Sequence, residues 1–388
     1  MSGIVLIGDS LFNNVDLTID PEIIKICKNA ELVAINLEGP ITSAKPRAGR
    51  SYGISSSEDS IRFLKELNVK IAIIANNHIM DCGEDGLIDT INILKQNDIL
   101  IVGAGLDLDE KYQEIIIENE KRKVVVLAYT HHEGPMFESK NIGPFSLPQR
   151  NQLEKTLKKY IDDGYFTILS YHGGEEYFSV PWPRRRSFFL RLNKLGVNII
   201  YGTHAHAIQP IEIIDNKLVN YSTGNFYFDV LTQKKKKGTN EGYFIEHDNR
   251  SVKQHFYKTN WDNSTLVYNS VKTYDLTKNH VFENTIYLKQ WIDECKELLT
   301  YSLKRTKDIC PDCDFPLNND DLIEVIDRNS VVNGKSLVFR TIVKNRRPVI
   351  DFISNQELTT PEDSKLDLPI GVFDPDDEDI NLVFYSTT

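Results

Sequence analysis

Over the first 220 residues, short apolar runs alternate with segments whose apolar positions recur every three or four residues. The runs at 4–7, 32–35, 70–74, 99–102, 166–170 and 197–201 read as strands. The segments at 21–29, 58–67, 86–96, 149–160 and 184–195 read as helices. Ile61, Leu64 and Leu67 share one helical face, and Leu87, Ile91 and Leu94 share another. Strand–helix alternation of this kind predicts parallel strands with helices on the sheet faces. After Ala207 the rhythm changes. Residues 208–214 and 217–221 flank Asp215-Asn216 and read as a hairpin, with further strands at 226–229 and 243–246. Between those two strands lies Gln233-Lys234-Lys235-Lys236-Lys237-Gly238, where a solvated loop is preferred to an anion-binding lid. A long helical pattern covers 284–304. A boundary near 275–280 gives a domain at 1–280 and an appended helical and mixed module at 281–388.

Composition narrows the class. The 388 residues are 40% hydrophobic and 26% charged, which suits a globular chain able to bury a substantial core. No run approaches the roughly 18 apolar residues of a membrane span. The first residues carry neither a basic stretch nor a small-residue cleavage site, so a cytoplasmic location is expected. From Asp351 onward ten acidic residues face a single base, Lys365, so this tail holds −9 of the net −11. The remainder is nearly neutral, and nucleic acid is not an expected partner. Five scattered cysteines suit a reducing compartment. Cys310 and Cys313 form one C-x-x-C pair without a second, and ordinary thiols are preferred there to a metal site.

The chemistry collects where the strands end. The first is followed by Gly8-Asp9-Ser10 and the second by Asn36-Leu37-Glu38-Gly39-Pro40. The third is followed by Ala75-Asn76-Asn77-His78, then Asp81 and Gly83. Beyond residue 170 comes Tyr171-His172-Gly173-Gly174-Glu175-Glu176-Tyr177, and beyond 201 comes Gly202-Thr203-His204-Ala205-His206. Open α/β sheets bind ligands outside the carboxyl ends of their strands. Carboxylates, asparagines and histidines delivered there are the side chains that hold divalent cations in hydrolytic sites. His204 and His206, two apart on an extended segment, would project to one face. Any one of these signals alone is weak, because Asp and Asn also cap turns and helices. Four of the nine histidines (His78, His172, His204, His206) meeting at predicted strand ends is more specific.

These motifs carry a resemblance. With Gly103-Ala104-Gly105 and Tyr221-Ser222-Thr223-Gly224-Asn225-Phe226, the chain over residues 1–250 resembles the CapA family of capsule and poly-γ-glutamate synthesis proteins. That family is similar to calcineurin-like metallophosphoesterases. The resemblance implies a four-layer αββα sandwich with a metal site at one rim, holding one or two ions of manganese, zinc or iron. It implies Asp9 on one metal, Glu38 bridging two, Asn77 on the second beside His172 and His204, and His206 returning to the first. His78 would be the catalytic histidine at the leaving group. Arg184, which opens an arginine triplet, and Asn225 would meet the substrate, although a solvated helix start also explains the triplet. A water activated by bound metal would attack a phosphoester or an amide, in the biosynthesis of capsule, poly-γ-glutamate or a related exopolymer. Partners would be an anionic polymer or a phosphorylated small molecule, and other capsule-synthesis proteins.

Two departures qualify the resemblance. The usual Asp-x-His of the first strand has Leu11 in the histidine's place, which leaves room for one metal only, or for a replacement such as Asp81 or Glu176. Gly173 replaces the usual aromatic after the first rim histidine, which would widen the pocket. A non-catalytic polymer-binding or scaffold protein of a capsule-synthesis complex is the main alternative. A GDSL-type esterase using Ser10 is a remote one, since Gly8-Asp9-Ser10-Leu11 spells that signature but the Gly-x-Asn-Asp and Asp-x-x-His segments are missing.

Overall fold

The computed structural model describes residues 3–13, 16–46, 53–106, 114–118, 122–131, 142–148, 150–284, 286–291 and 293–294. The chain divides into two compact units, Met1–Phe282 and Glu283–Thr388. In the second, the described residues 284, 286–291 and 293–294 are helical. The rest of the helix expected to 304, the Cys310/Cys313 pair and the acidic tail lie outside the described residues.

In the first unit the elements run β1 (Ile4–Leu11), β2 (Thr18–Ile19), α1 (Pro21–Asn29), β3 (Leu32–Leu37), α2 (Ile61–Glu66), β4 (Ile71–Ile73), α3 (Gly83–Gln96) and β5 (Leu100–Val102). A small pair, β6 (Ala104–Gly105) and β9 (Gly143–Pro144), encloses β7 (Glu114–Glu118) and β8 (Lys123–Thr130). Then come α4 (Arg150–Asp162), β10 (Phe166–His172), α5 (Pro183–Leu195), β11 (Ile199–Thr203), β12 (Ile211–Ile214), β13 (Lys217–Asn220), β14 (Asn225–Phe228), α6 (Leu231–Lys234), β15 (Glu241–His247), β16 (Ser251–Asn260) and β17 (Thr265–Asp275).

These strands form two mixed sheets. One runs β2-β17-β16-β15-β1-β3-β4-β5, with β14 also paired to β1, and the other runs β12-β13-β11-β10-β8-β7. β1, β3, β4 and β5 are parallel, as are β8, β10, β11 and β13. The expected alternation thus supplies parallel strands in each sheet, at one end of the first and in the middle of the second, and antiparallel strands extend both.

Strand alternation sorts side chains into layers. Val5 and Ile7 of β1 join Val33 and Ile35 against Ile23, Phe63, Leu64, Leu87 and Ile91 of α1–α3. Ile4 and Leu6, on the opposite face, meet Val124, Val126, Ile168 and Ile199 of the second sheet. Val125, Leu127, Leu169 and Ile200 turn the other way, onto Leu153, Leu157, Phe188, Phe189 and Leu192 of α4 and α5. Helices, sheet, sheet, helices: this is the αββα sandwich that the resemblance implies.

Candidate metal centre

Both sheets deliver their strand ends to one place. Asp9 sits in β1 where the register against β3 shifts between Ile7 and Asp9, an irregularity that re-aims the chain locally. Glu38 follows β3, Asn77 and His78 follow β4, His172 ends β10, and His204 and His206 follow β11. Asp9, Glu38, His172, His204 and His206 are each at most 3% exposed.

Their ligand atoms form two overlapping groups, Glu38–His172–His204 and Asp9–Glu38–His206, each within 4.8 Å. Glu38 belongs to both. Its Oε1 lies 3.6 Å from His206 Nε2, 3.8 Å from His172 Nε2 and 3.9 Å from His78 Nε2. His172 Nε2 lies 2.9 Å from Asn77 Oδ1 and 3.1 Å from His204 Nδ1. His206 Nδ1 lies 3.7 Å from Asp9 Oδ2. Bonds of about 2.0–2.2 Å to a central ion place neighbouring N and O donors about 3 Å apart or slightly more. The donor set and its spacing therefore fit a divalent cation of the mixed N/O class.

The electrostatics agree. Burial raises the Asp9 carboxyl above its ordinary pKa, against the pull of His206 and His204. Burial, reinforced by the neighbouring histidines and Arg185, lowers His172 well below its ordinary value. His172 is thus a neutral imidazole, the form that ligates metals. A cation among these donors relieves the strain on the carboxylates, because it adds the positive charge their burial demands.

A second layer aims the donors. Asn36 Nδ2 donates to Asp9 Oδ1 at 2.7 Å and lies 3.4 Å from His172 Nδ1, which also meets Thr203 Oγ1 at 3.0 Å. The His204 backbone N–H donates to Asp9 Oδ2 at 3.0 Å. Asn36 and Thr203 lay inside the quoted motifs, but sequence reasoning gave them no role. His78 Nδ1 donates to Asp81 Oδ2 at 2.7 Å, and Asp81 also accepts from the Ile54 N–H at 3.0 Å. Asp81 is therefore placed as the group that orients His78.

Other expected positions fall differently. Leu11 is buried in the core. Glu176 is exposed and stands outside both donor groups. Asn225 is 2% exposed with its amide engaged at both ends: Nδ2 donates to the Thr239 carbonyl, and Oδ1 meets His206 Nδ1 at 2.7 Å. It stands behind His206. Arg184 is half-buried near the start of α5. The arginine triplet is not the solvated helix start that was weighed for it. Arg186 pairs with the buried Glu212 at 2.6 Å, and Arg185 donates to the carbonyls of Thr203 and Tyr221. Gly174, at φ +108°, lets the chain pass over Arg185, whose Nη1 would lie 2.5 Å from a Cβ there. A Cβ at Gly173 would meet His131 Cβ at 2.6 Å, so neighbouring side chains fill the space that the absent aromatic was expected to open.

The pair His204/His206 also departs from expectation. Both residues lie in the left-handed region, at φ +89° and +51°, so the segment is not extended. The rings sit 6.1 Å apart and serve different donor groups. Ser10, nucleophile of the esterase alternative, is fully buried and donates to the Gly8 carbonyl at 2.8 Å.

Residues 18–230 match the sequence profile of the bacterial capsule synthesis protein PGA_cap. The chain belongs to this family. It is 30% identical over 229 residues to the PGA biosynthesis protein CapA of Bacillus subtilis (strain 168), covering 57% of each chain. It is 29% identical over 213 residues to the capsule biosynthesis protein CapA of Bacillus anthracis, covering 52% of this chain and 51% of that one. The chain thus spans a little over half the length of these curated relatives. Among solved structures, the calcineurin-like phosphoesterase YfkN of Bacillus subtilis aligns with a TM-score of 0.38 at 14% identity, covering 77% of this chain and 98% of that one. Among the described residues, no helix is long and apolar enough to cross a membrane.

Proposed function

We propose that this PGA_cap chain is a metal-dependent hydrolase acting in the synthesis of poly-γ-glutamate capsule or a related exopolymer. The observation that carries the reading is the shared carboxylate: Glu38 lies in both donor groups. Asp9, Glu38 and His206 would hold one ion, and Glu38, Asn77, His172 and His204 a second. Divalent cations held there supply Lewis-acid polarisation and lower the pKa of water. The chain's own residues do the rest. Asn36 and the His204 N–H fix the Asp9 carboxylate, Thr203 fixes the His172 ring, and Asn225 fixes His206. His78, half-buried at the edge of the cluster and oriented by Asp81, exchanges the proton of the leaving group through Nε2. Phosphoester and amide bonds both suit such a centre. The five dispersed cysteines, of which Cys27 and Cys82 are buried free thiols, favour a step in the cytoplasm.

Leu11 in place of the usual first-strand histidine favours a second reading, a polymer-binding protein without turnover. One experiment separates them. The wild type and a His204→Ala/His206→Ala variant are reconstituted with manganese, zinc or iron, and bound metal is counted by plasma mass spectrometry. About two equivalents in the wild type, lost in the variant, are expected under the dinuclear rule. Loaded protein is then offered phosphoester and γ-glutamyl substrates. No metal under any condition sinks the hydrolase reading, and loaded protein without turnover favours the binding protein.

A further inference from the structure

The run Lys234-Lys235-Lys236-Lys237 has no part in the reaction proposed above. A solvated loop is the expectation, and the segment is mostly exposed, but contacts also tie it to the candidate metal centre. Lys234, at the end of α6, pairs with Asp229 and lies 5.4 Å from the Trp261 ring centroid. Lys235, Lys236 and Lys237 are exposed. Lys236 folds inward, and its Nζ sits 4.5 Å from the Tyr177 ring centroid. The Tyr177 ring in turn stacks on His206, with centroids 6.1 Å apart and an interplanar angle of 28°.

Two further chains of contacts hold this arrangement. Gln233 Nε2 donates to the Tyr177 hydroxyl at 3.0 Å, and the Tyr177 N–H donates to the Ala205 carbonyl at 2.7 Å. On the other side, the Thr239 hydroxyl donates to the Gln233 carbonyl, and the Thr239 carbonyl accepts from Asn225, which touches His206. Tyr177 lies at φ +66°, a region a bulky residue adopts only when its surroundings enforce it. The Tyr177 ring offers its face to the Lys236 ammonium. A merely solvated loop has no need of such attachments.

We propose that Lys235, Lys236 and Lys237 form an anion-binding arm beside the metal centre, with Lys236 held against Tyr177. The arm takes an anionic oxygen, carboxylate or phosphoryl, on the part of the substrate flanking the reacting bond. Three successive ammonium groups suit charges repeated along a polymer better than a single ion, since each is a compact point charge on a flexible stem. The substrate's place on the enzyme rests on the hydrolase reading; the binding of anions by the arm does not.

The test uses the full chain reconstituted with manganese. Affinities for poly-γ-glutamate and for inorganic phosphate are measured by calorimetry at low and physiological salt. They are compared among the wild type, a Lys235→Ala/Lys236→Ala/Lys237→Ala variant and Lys236→Arg. The triple variant should bind poly-γ-glutamate at least about tenfold more weakly, with a flatter salt dependence, because screened ammonium–anion attraction is the interaction removed. Its metal content and thermal midpoint should match the wild type, and Lys236→Arg should stay near wild-type affinity. A loss for poly-γ-glutamate alone assigns the arm to a repeated carboxylate, and a loss for both probes to any anionic oxygen. Equal affinities in the triple variant and wild type, or no anion binding by the wild type, overturn the proposal. An arm-dependent affinity without turnover of phosphoester or γ-glutamyl bonds keeps the arm and removes the hydrolase reading. Turnover at wild-type kcat/KM in the triple variant overturns the arm's contact with the substrate and leaves the hydrolase reading standing.

Discussion

His204 and His206 occupy backbone conformations that cost a non-glycine residue about 1–3 kcal/mol each. The surroundings enforce them: the His204 N–H is tied to Asp9, and the His206 ring is held between Asn225 and Tyr177. Strain gathered at ligating residues marks a site built for a purpose other than stability. At this scale the sequence singled out side chains that the fold gathers, because carboxylates and histidines at strand ends are conspicuous. It gave no role to Asn36 or Thr203, and it set Asn225 at the substrate, whereas the structure sets it behind His206. Asn36, Thr203 and Asn225 act through position, and nothing in an Asn or Thr announces a contact with a residue far along the chain. Asn36→Ala is the cleanest test, because Asn36 touches Asp9 and His172 without belonging to either donor group. Metal affinity should fall by about 10–100-fold, the usual effect of removing such a support. Titration with manganese would read the affinity, and a urea midpoint would read stability separately. Unchanged affinity would mean that Asp9 keeps its aim without Asn36.

Among the elements, the alternating strands and helices of residues 4–102 and 150–220 were legible because each parallel strand is an apolar run closed by a polar loop. β7, β8, β16 and β17 were not. β8 is an unbroken apolar stretch, Val124–Ala128, with no helical segment close before it to set the rhythm. β16 mixes buried with more exposed residues, β17 is mostly exposed, and both end in polar turns, so they lack the dense core signal of the parallel strands. The hairpin at Asp215-Asn216 was visible from its turn, and both residues take the positive φ of a two-residue loop. One element carries a testable pH effect. His247 ends β15 of the first sheet, and its ring lies 5.4 Å from Phe166 of β10 in the second. Burial pushes its pKa from 6.5 down to about 4. The unfolded chain therefore binds this proton first as pH falls, so the contribution is complete above pH 6.5 and is lost as pH falls from 6.5 towards 4. Between pH 7.5 and 5 the loss should be about 2 kcal/mol. Urea midpoints of the wild type and His247→Leu at both pH values would measure it. The variant's stability should change less with pH, and an identical pH dependence would remove His247 as the cause.

For the whole molecule, the site is where the two sheets are fastened across their shared core. Asp9, Glu38 and Asn77 come from one sheet, and His172, His204 and His206 from the other. An ion gripping donors from both must bind the folded chain and not the unfolded one, in which these residues are far apart along the sequence. Metal should then stabilise folding by mass action, by about 2.7 kcal/mol when free metal reaches 100 times its dissociation constant. For a domain of this size that corresponds to a rise in melting temperature of about 5 °C. Calorimetric melts of the chelator-stripped chain, with manganese, zinc or iron added back, would show the rise. It should vanish in His204→Ala/His206→Ala, and Asn36→Ala should need proportionately more metal to reach it. The sign of the result discriminates sharply. A carboxylate and histidine cluster that served only as a polar network would be indifferent to added metal. A melting temperature unmoved by all three ions would therefore count against a metal centre at the junction of the sheets, whatever the donor spacing suggests.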